Sequence, residues 1–258
     1  MSRSISFDRA AGYYDDTRSL PDPLMSRLIE VLAGELPPHQ PCLEIGVGTG
    51  RIALPLMKTG VQIVGVDISR EMLLRLQAKA GALSPPLAIA DATRLPFGDG
   101  TFGSAIASHV LHLIPDWRSA VNELLRVVRR QGVVVASRGG RGAGEEWTRV
   151  VRRHFFEAAR SEQRSPGADR IEEVDLYMRE RGAGVRELRL PAVEGTATVA
   201  EIIAGLEAGY FSACWVIDDD TRREAAADTR EWAVAEFGDL DARRTTSHQS
   251  HWRSYALP

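Results

Sequence analysis

Three carboxylates and three glycines stand at the ends of apolar runs, and they carry most of the chemistry this sequence can do. The segment Leu43-Glu44-Ile45-Gly46-Val47-Gly48-Thr49-Gly50-Arg51 leads from an apolar run into a glycine turn. Glycines let the backbone turn sharply and let a ligand lie close against it. The spacing is G-x-G-x-G. A dinucleotide loop, G-x-G-x-x-G, would need its third glycine at position 51, where Arg51 stands. Glu44 precedes the loop, and a carboxylate there repels a pyrophosphate and favours a cation. Asp67 closes a second apolar run, where a carboxylate can accept hydrogen bonds from both hydroxyls of a ribose. Asp91, followed by Ala92, could accept from the exocyclic amine of adenine. His109 and His112 follow a fourth run. An imidazole there could take a proton from a hydroxyl, an amine or an activated carbon acid.

The elements that position these residues follow from hydropathy. Strands are expected at 42–46, 61–67, 87–91, 102–108 and 133–137. Helical spacing separates them at 24–36, 52–58, 70–80 (capped by Ser69) and 117–128. Strands alternating with helices imply a parallel sheet covered on both faces, with ligands bound beyond the carboxyl ends of its strands. The polar residues and glycines gather at those ends. After Ser137 the rhythm changes. A glycine-rich connection is expected at 139–144, helices at 147–160, 171–181, 198–207 and 221–237, a sixth strand at 185–193 and a final strand at 246–257.

Composition limits the function classes. The chain has 258 residues, 44% of them hydrophobic and 26% charged, which excludes disorder as the main state. No apolar stretch is long enough to span a membrane, and residues 1–14 lack the apolar core of a secretory signal. The net charge of -3 argues against a general nucleic-acid binder. Residues 126–164 hold ten Arg and four Glu, which reads as a solvated helix face. Two cysteines, Cys42 and Cys214, form no metal-ligand spacing. A reduced, cytoplasmic protein is the expectation. His248 and His251 read as surface or edge residues of the final strand. Asp218-Asp219-Asp220 reads as a helix start rather than a metal site, and no metal is expected. Tyr210, Phe211 and Trp215 are the candidate lining of an apolar substrate pocket.

Residues 7–138 resemble the class I S-adenosylmethionine-dependent methyltransferases, in particular the methyltransferase type 11 branch with its ubiquinone- and menaquinone-biosynthesis-like enzymes. The resemblance runs through the stretches 7–18, 43–50, 64–69, 91–97, 108–117 and 126–137. It implies an α/β, Rossmann-like, doubly wound sheet of seven mostly parallel strands, the last one antiparallel, with a helical cap and an N-terminal lid. It also implies one domain over 1–258, with a lid at 1–24, a cofactor-binding core at 40–140 and a helical substrate cap at about 195–236. S-adenosylmethionine would be the cofactor and S-adenosylhomocysteine the product. Gly46, Gly48, Thr49 and Gly50 would line the methionine and ribose portions, and Glu44 would lie near the amino end. Asp67 would bind the ribose, Ile68 and Met72 would flank the adenine, and Asp91, Ala92 and Thr93 would read its edge. Ser108 and His109 would sit below the methionine moiety. Tyr13, Tyr14 and Arg18 resemble the lid. His109 or His112 would be the general base, where one is used.

Two positions depart from the family. Gly103 stands where Asp is frequent, and Arg129-Arg130-Gln131-Gly132 replaces Lys-Pro-Gly-Gly. Neither position is catalytic. The expected function is methyl transfer to a small-molecule acceptor by a monomer or homodimer. An NAD(P)-dependent oxidoreductase is the alternative that the glycine spacing disfavours, and a non-catalytic cofactor-binding module is a second. Methylation of nucleic-acid base amines is disfavoured, because Ser108-His109-Val110-Leu111-His112 stands where an Asn-Pro-Pro-Tyr-type motif would be.

Overall fold

In the computed structural model, the strands are β1 (Cys42–Ile45), β2 (Ile63–Asp67), β3 (Leu87–Ile89), β4 (Phe102–Ser108), β5 (Val128–Gly139), β6 (Gly184–Leu188), β7 (Val193–Ala197), β8 (Arg244–His248) and β9 (Ser250–Ala256). The helices are α1 (Tyr14–Arg18), α2 (Asp22–Glu35), α3 (Ala53–Met57), α4 (Arg70–Ala80), α5 (Trp117–Val127), α6 (Glu146–Ala158), α7 (Ile171–Arg179), α8 (Val199–Glu207) and α9 (Asp219–Phe237). Residues 4–18, 20–139, 146–162, 165–248 and 250–258 are described. The expected glycine connection lies outside them from residue 140 onward. The chain divides into two units, residues 1–139, 166–190 and 250–258 forming the first, and residues 140–165 and 191–249 the second.

The first unit holds a seven-stranded sheet in the order β3-β2-β1-β4-β5-β9-β6. The first five of these strands run parallel, and β9 is antiparallel to both β5 and β6. Successive strand side chains point to opposite faces, and the two cores divide accordingly. Leu43, Ile45, Ala105, Ala107 and Val134 pack with Trp117, Val121 and Leu124 of α5. Cys42, Ile63, Ile106, Val135 and Trp252 pack with Leu28, Leu32, Leu56 and Leu76 from α2, α3 and α4. This is the expected doubly wound sheet.

The later strands differ from expectation. The sixth strand ends at Leu188 rather than at 193, and residues 193–197 form β7 instead. The expected final strand is two strands, β8 and β9, and His248 belongs to β8. The reason is pairing. β7 and β8 form a separate antiparallel ribbon from Val193↔His248 to Ala197↔Arg244, while β9 pairs within the main sheet. Alternation along a sequence shows extended chain but not its partner.

The second unit packs α6, α8 and α9 around Phe155, Phe156, Val199, Ile203, Leu206, Ala225 and Ala233. It adds α6 and the β7–β8 ribbon to the region expected at 195–236. Asp218 is the N-cap of α9, accepting from the Thr221 amide (2.9 Å) and hydroxyl (2.7 Å). Among the described residues, no cluster of His, Cys, Asp and Glu is arranged to hold a metal. Among them, no helix is long and apolar enough to cross a membrane.

Candidate functional site

The site starts where β1 runs out. Register places Ile45 beside Val66 on one side and Ala107 on the other. One residue further on, Gly46 leaves the sheet between Asp67 of β2 and Ser108 of β4. Gly46 has φ 63° and Gly48 φ 55°, in the left-handed region that glycine enters without a Cβ penalty. A Cβ on Gly46 would come within 2.5 Å of the Val110 side chain. A Cβ on Gly48 would meet nothing nearer than the Gly46 carbonyl oxygen at 3.9 Å, and the residue is itself buried.

Asp67 locks this loop. Its Oδ2 accepts from the Gly48 amide at 2.9 Å and its Oδ1 from the Ser69 amide at 2.8 Å. Burial raises its carboxyl above the ordinary value, against the two amides. Each carboxylate oxygen has a second lone pair, so the group can also accept from a diol. Ile68, partly buried, and Met72, fully buried, follow it.

Glu44 is 2% exposed, and its Oε2 is buried without a hydrogen-bond partner. Burial pushes its carboxyl up to about 8. Arg51 and the Ala53 amide oppose that shift, and the Asp67 carboxylate adds to it. A buried oxygen without a partner costs stability unless a cation or a donor satisfies it.

The N-terminal segment sits on this loop. Thr49, fully buried, donates to Asp15 Oδ1 at 2.6 Å, and Lys79 pairs with Asp15 Oδ2 at 2.9 Å. Arg51 donates to the carbonyl of Arg18 at 3.0 Å. Asp8 accepts from the Ser69 hydroxyl at 2.6 Å and the Glu71 amide at 3.3 Å, a favourable place for a carboxylate at the start of α4. Tyr14 packs edge-on against Phe7. Asp8, Asp15 and Arg51 were not singled out from the sequence. Only the position of Arg51, in place of a glycine, hinted at a task.

Asp91 Oδ1 accepts from the amide and the hydroxyl of Thr93, both at 2.9 Å. That is a local turn, and Ala92 is buried beside it. Past β4, His109 has φ 51°, uncommon for a non-glycine residue. Its amide donates to both the carbonyl and the hydroxyl of Ser137, each at 3.2 Å. Its ring stands edge-on to Trp252 of β9, 6.4 Å between centroids. Ser108 Oγ and His112 Nδ1 are buried without hydrogen-bond partners. Burial, with Arg138 and Arg18 nearby, pushes His112 down to about 3. Cys42 and Cys214 are buried, and burial holds both thiols protonated.

Tyr210, Phe211 and Trp215 belong to the second unit. Tyr210 is 39% exposed, the Arg152 guanidinium lies 4.6 Å from the centre of the Phe211 ring, and Trp215 donates to the Gly209 carbonyl at 2.8 Å.

Residues 43–136 match the family model of the methyltransferase domain. The chain is 40% identical over 97 residues to a phosphatidylethanolamine N-methyltransferase of Cereibacter sphaeroides, covering 36% of this chain and 47% of that protein. It is 35% identical over 132 residues to a demethylmenaquinone methyltransferase of Streptomyces avermitilis, covering 50% and 56%. Among these curated relatives, the chain spans between 39% and 60% of their length. The fold is that of the solved YcgJ protein of Bacillus subtilis, with a TM-score of 0.63 and 17% identity over 92% of this chain and 99% of that one.

Proposed function

We propose that this chain, whose residues 43–136 form a methyltransferase domain, transfers the methyl group of S-adenosylmethionine to a small-molecule acceptor. One observation carries the reading. The glycine loop is pinned by Asp67, which holds the Gly48 amide, and is preceded by a buried acid, Glu44, with an oxygen that has no hydrogen-bond partner. The residues fit a ligand with a diol at one end and a cationic amine at the other. Asp67 would take the ribose hydroxyls, with Ile68 and Met72 beside the adenine. Glu44 would face the amino group across Gly46, Gly48, Thr49 and Gly50. Asp91, Ala92 and Thr93 would border the adenine edge.

When bound, the cofactor supplies an electrophilic methyl group on a sulfonium. The residues of the chain align the acceptor for in-line attack and keep water away. Tyr14 and Arg18, tied down through Asp8, Asp15 and Arg51, would form the lid. Ser108 and His109 would lie below the methionine moiety. His112 is a poor base, because burial keeps it neutral. His109 is the candidate to take a proton, and an acidic acceptor would need none. Tyr210, Phe211 and Trp215 would recruit an apolar part of the acceptor. The chain would act as a monomer or homodimer in the cytoplasm.

The test is calorimetric titration with S-adenosylmethionine, S-adenosylhomocysteine and NADH, repeated on Asp67→Ala. Binding of the two sulfur nucleosides alone, weakened in the variant, is expected. Binding of NADH instead, or of nothing, would sink the reading.

A further inference from the structure

Two distant parts of the chain grip the turn Leu111–Leu113 between β4 and α5. All three of its carbonyls are taken. Leu111 accepts from the Ala168 amide at 3.2 Å, His112 from the Gly167 amide at 3.0 Å, and Leu113 from the Ile5 amide at 3.2 Å. Residues 167–169 therefore lie along the turn as a strap. Gly167 fits because it has no side chain. A Cβ there would overlap the carbonyl oxygens of Leu111 and Ile114, and backbone oxygens cannot swing aside as a side chain can. Ala168 is buried in the core. The carbonyl of Asp169 accepts from Arg138 Nε, and its carboxylate from Arg138 Nη2 at 3.2 Å. Arg138 is 8% exposed. It follows Ser137, which pairs with Ser108 of β4, so Arg138 and the gripped turn leave the same edge of neighbouring strands.

We propose that residues 167–169 are a positioning strap for the acceptor side of the site, in which Gly167 and Asp169 hold His112 and Arg138 as one fixed polar wall. The assignment of that side rests on the methyl-transfer reading. Positive charge faces His112 from Arg138 on β5 and Arg18 on α1, and Asp169 on the strap pairs with Arg138. A ring held neutral there, with Nδ1 buried and without a hydrogen-bond partner, would offer a hydrogen bond rather than proton removal to an acceptor that reaches it. The strap also closes a loop in the chain. Arg138 lies just before the chain leaves for the second unit, and Gly167 just after its return.

The test uses the full chain and its Gly167→Ala variant, with two readouts: imidazole nitrogen NMR against pH, and calorimetry with S-adenosylhomocysteine. In the wild type, His112 should stay neutral down to about pH 4. In the variant the turn is pushed off, Nδ1 meets water, and the His112 midpoint should climb by at least about two pH units. The nucleoside Kd should change by less than about threefold, since the strap does not touch the glycine loop. A folded variant in which His112 titrates as in the wild type would overturn the proposal. Should Gly167→Ala fail to fold, amide exchange on the wild type decides. The Gly167 and Ala168 amides should be protected together with that of Leu113, as one opening unit. Fast exchange at 167 and 168 beside a protected Leu113 would overturn it. Asp169→Asn keeps the backbone grip but weakens the latch, and should speed exchange at both amides by roughly tenfold. Unchanged exchange would remove Asp169 from the strap. A wild type that binds no nucleoside would overturn the methyl-transfer reading and leave the His112 result standing on its own.

Discussion

The two units distribute buried polarity differently. In the second unit it stitches helices together. Arg222, 6% exposed, donates to the carbonyls of Glu207 (3.0 Å) and Ile217 (2.6 Å) and to Asp219 (2.6 Å). Thr198 and Glu201 form a reciprocal capping box on α8, and Thr229 back-bonds to Ala225. The second unit also leaves Arg244 Nε buried without a hydrogen-bond partner, whereas the first gathers three such atoms, on Glu44, Ser108 and His112, in and just after β1 and β4. Desolvating a polar atom without a partner costs stability. A fold that tolerates several such atoms at one strand edge is organised for something that arrives later.

That contrast can be broken by substitution. The largest effect is expected from Gly46→Ala. Left-handed strain and the Val110 overlap should together lower stability by about 3 kcal/mol in urea unfolding, and the displaced loop should weaken S-adenosylhomocysteine binding in calorimetry. Arg222→Ala should also lower stability, by about 2 kcal/mol in urea unfolding, but leave the nucleoside Kd alone. A shared loss of binding would erase the division between the units.

A third test separates Glu44 from ordinary carboxylates. Its folded value, about 8, lies above the unfolded value of 4.5, so the folded state holds the proton more tightly. That contribution is full below 4.5 and is lost as pH rises toward 8, at up to about 1 kcal/mol per pH unit. Glu44→Gln should flatten this part of the stability profile measured by urea unfolding at each pH. The smallest effect should be that of Thr198→Ala, about 0.5–1 kcal/mol from the lost cap, again without change in nucleoside affinity.

Legibility in the sequence follows the same division. The loop from Glu44 to Gly50, and Asp67 at its strand end, could be read because their tasks depend on local spacing: a glycine turn after one strand, a carboxylate after the next. The five parallel strands were legible for the same reason. The contacts that seat the lid were not, because Asp15 meets Thr49 34 positions away and Asp8 meets Ser69 61 positions away. No spacing rule spans such distances. The strap was equally silent, since the value of Gly167 lies in a backbone that arrives from elsewhere in the fold. The divided final strand was missed because both halves alternate alike and only their partners differ.

The sheet order has a consequence for how the chain is made. β9, the last strand in the sequence, lies between β5 and β6. During synthesis β5 therefore remains an open edge of apolar Val133, Val134 and Val135 until residues 250–256 emerge, after the whole second unit. Open edges of this kind are where nascent chains pair wrongly. The same strand brings Trp252 edge-on to the His109 ring. A nascent chain would display its glycine loop well before Trp252 comes to stand beside His109.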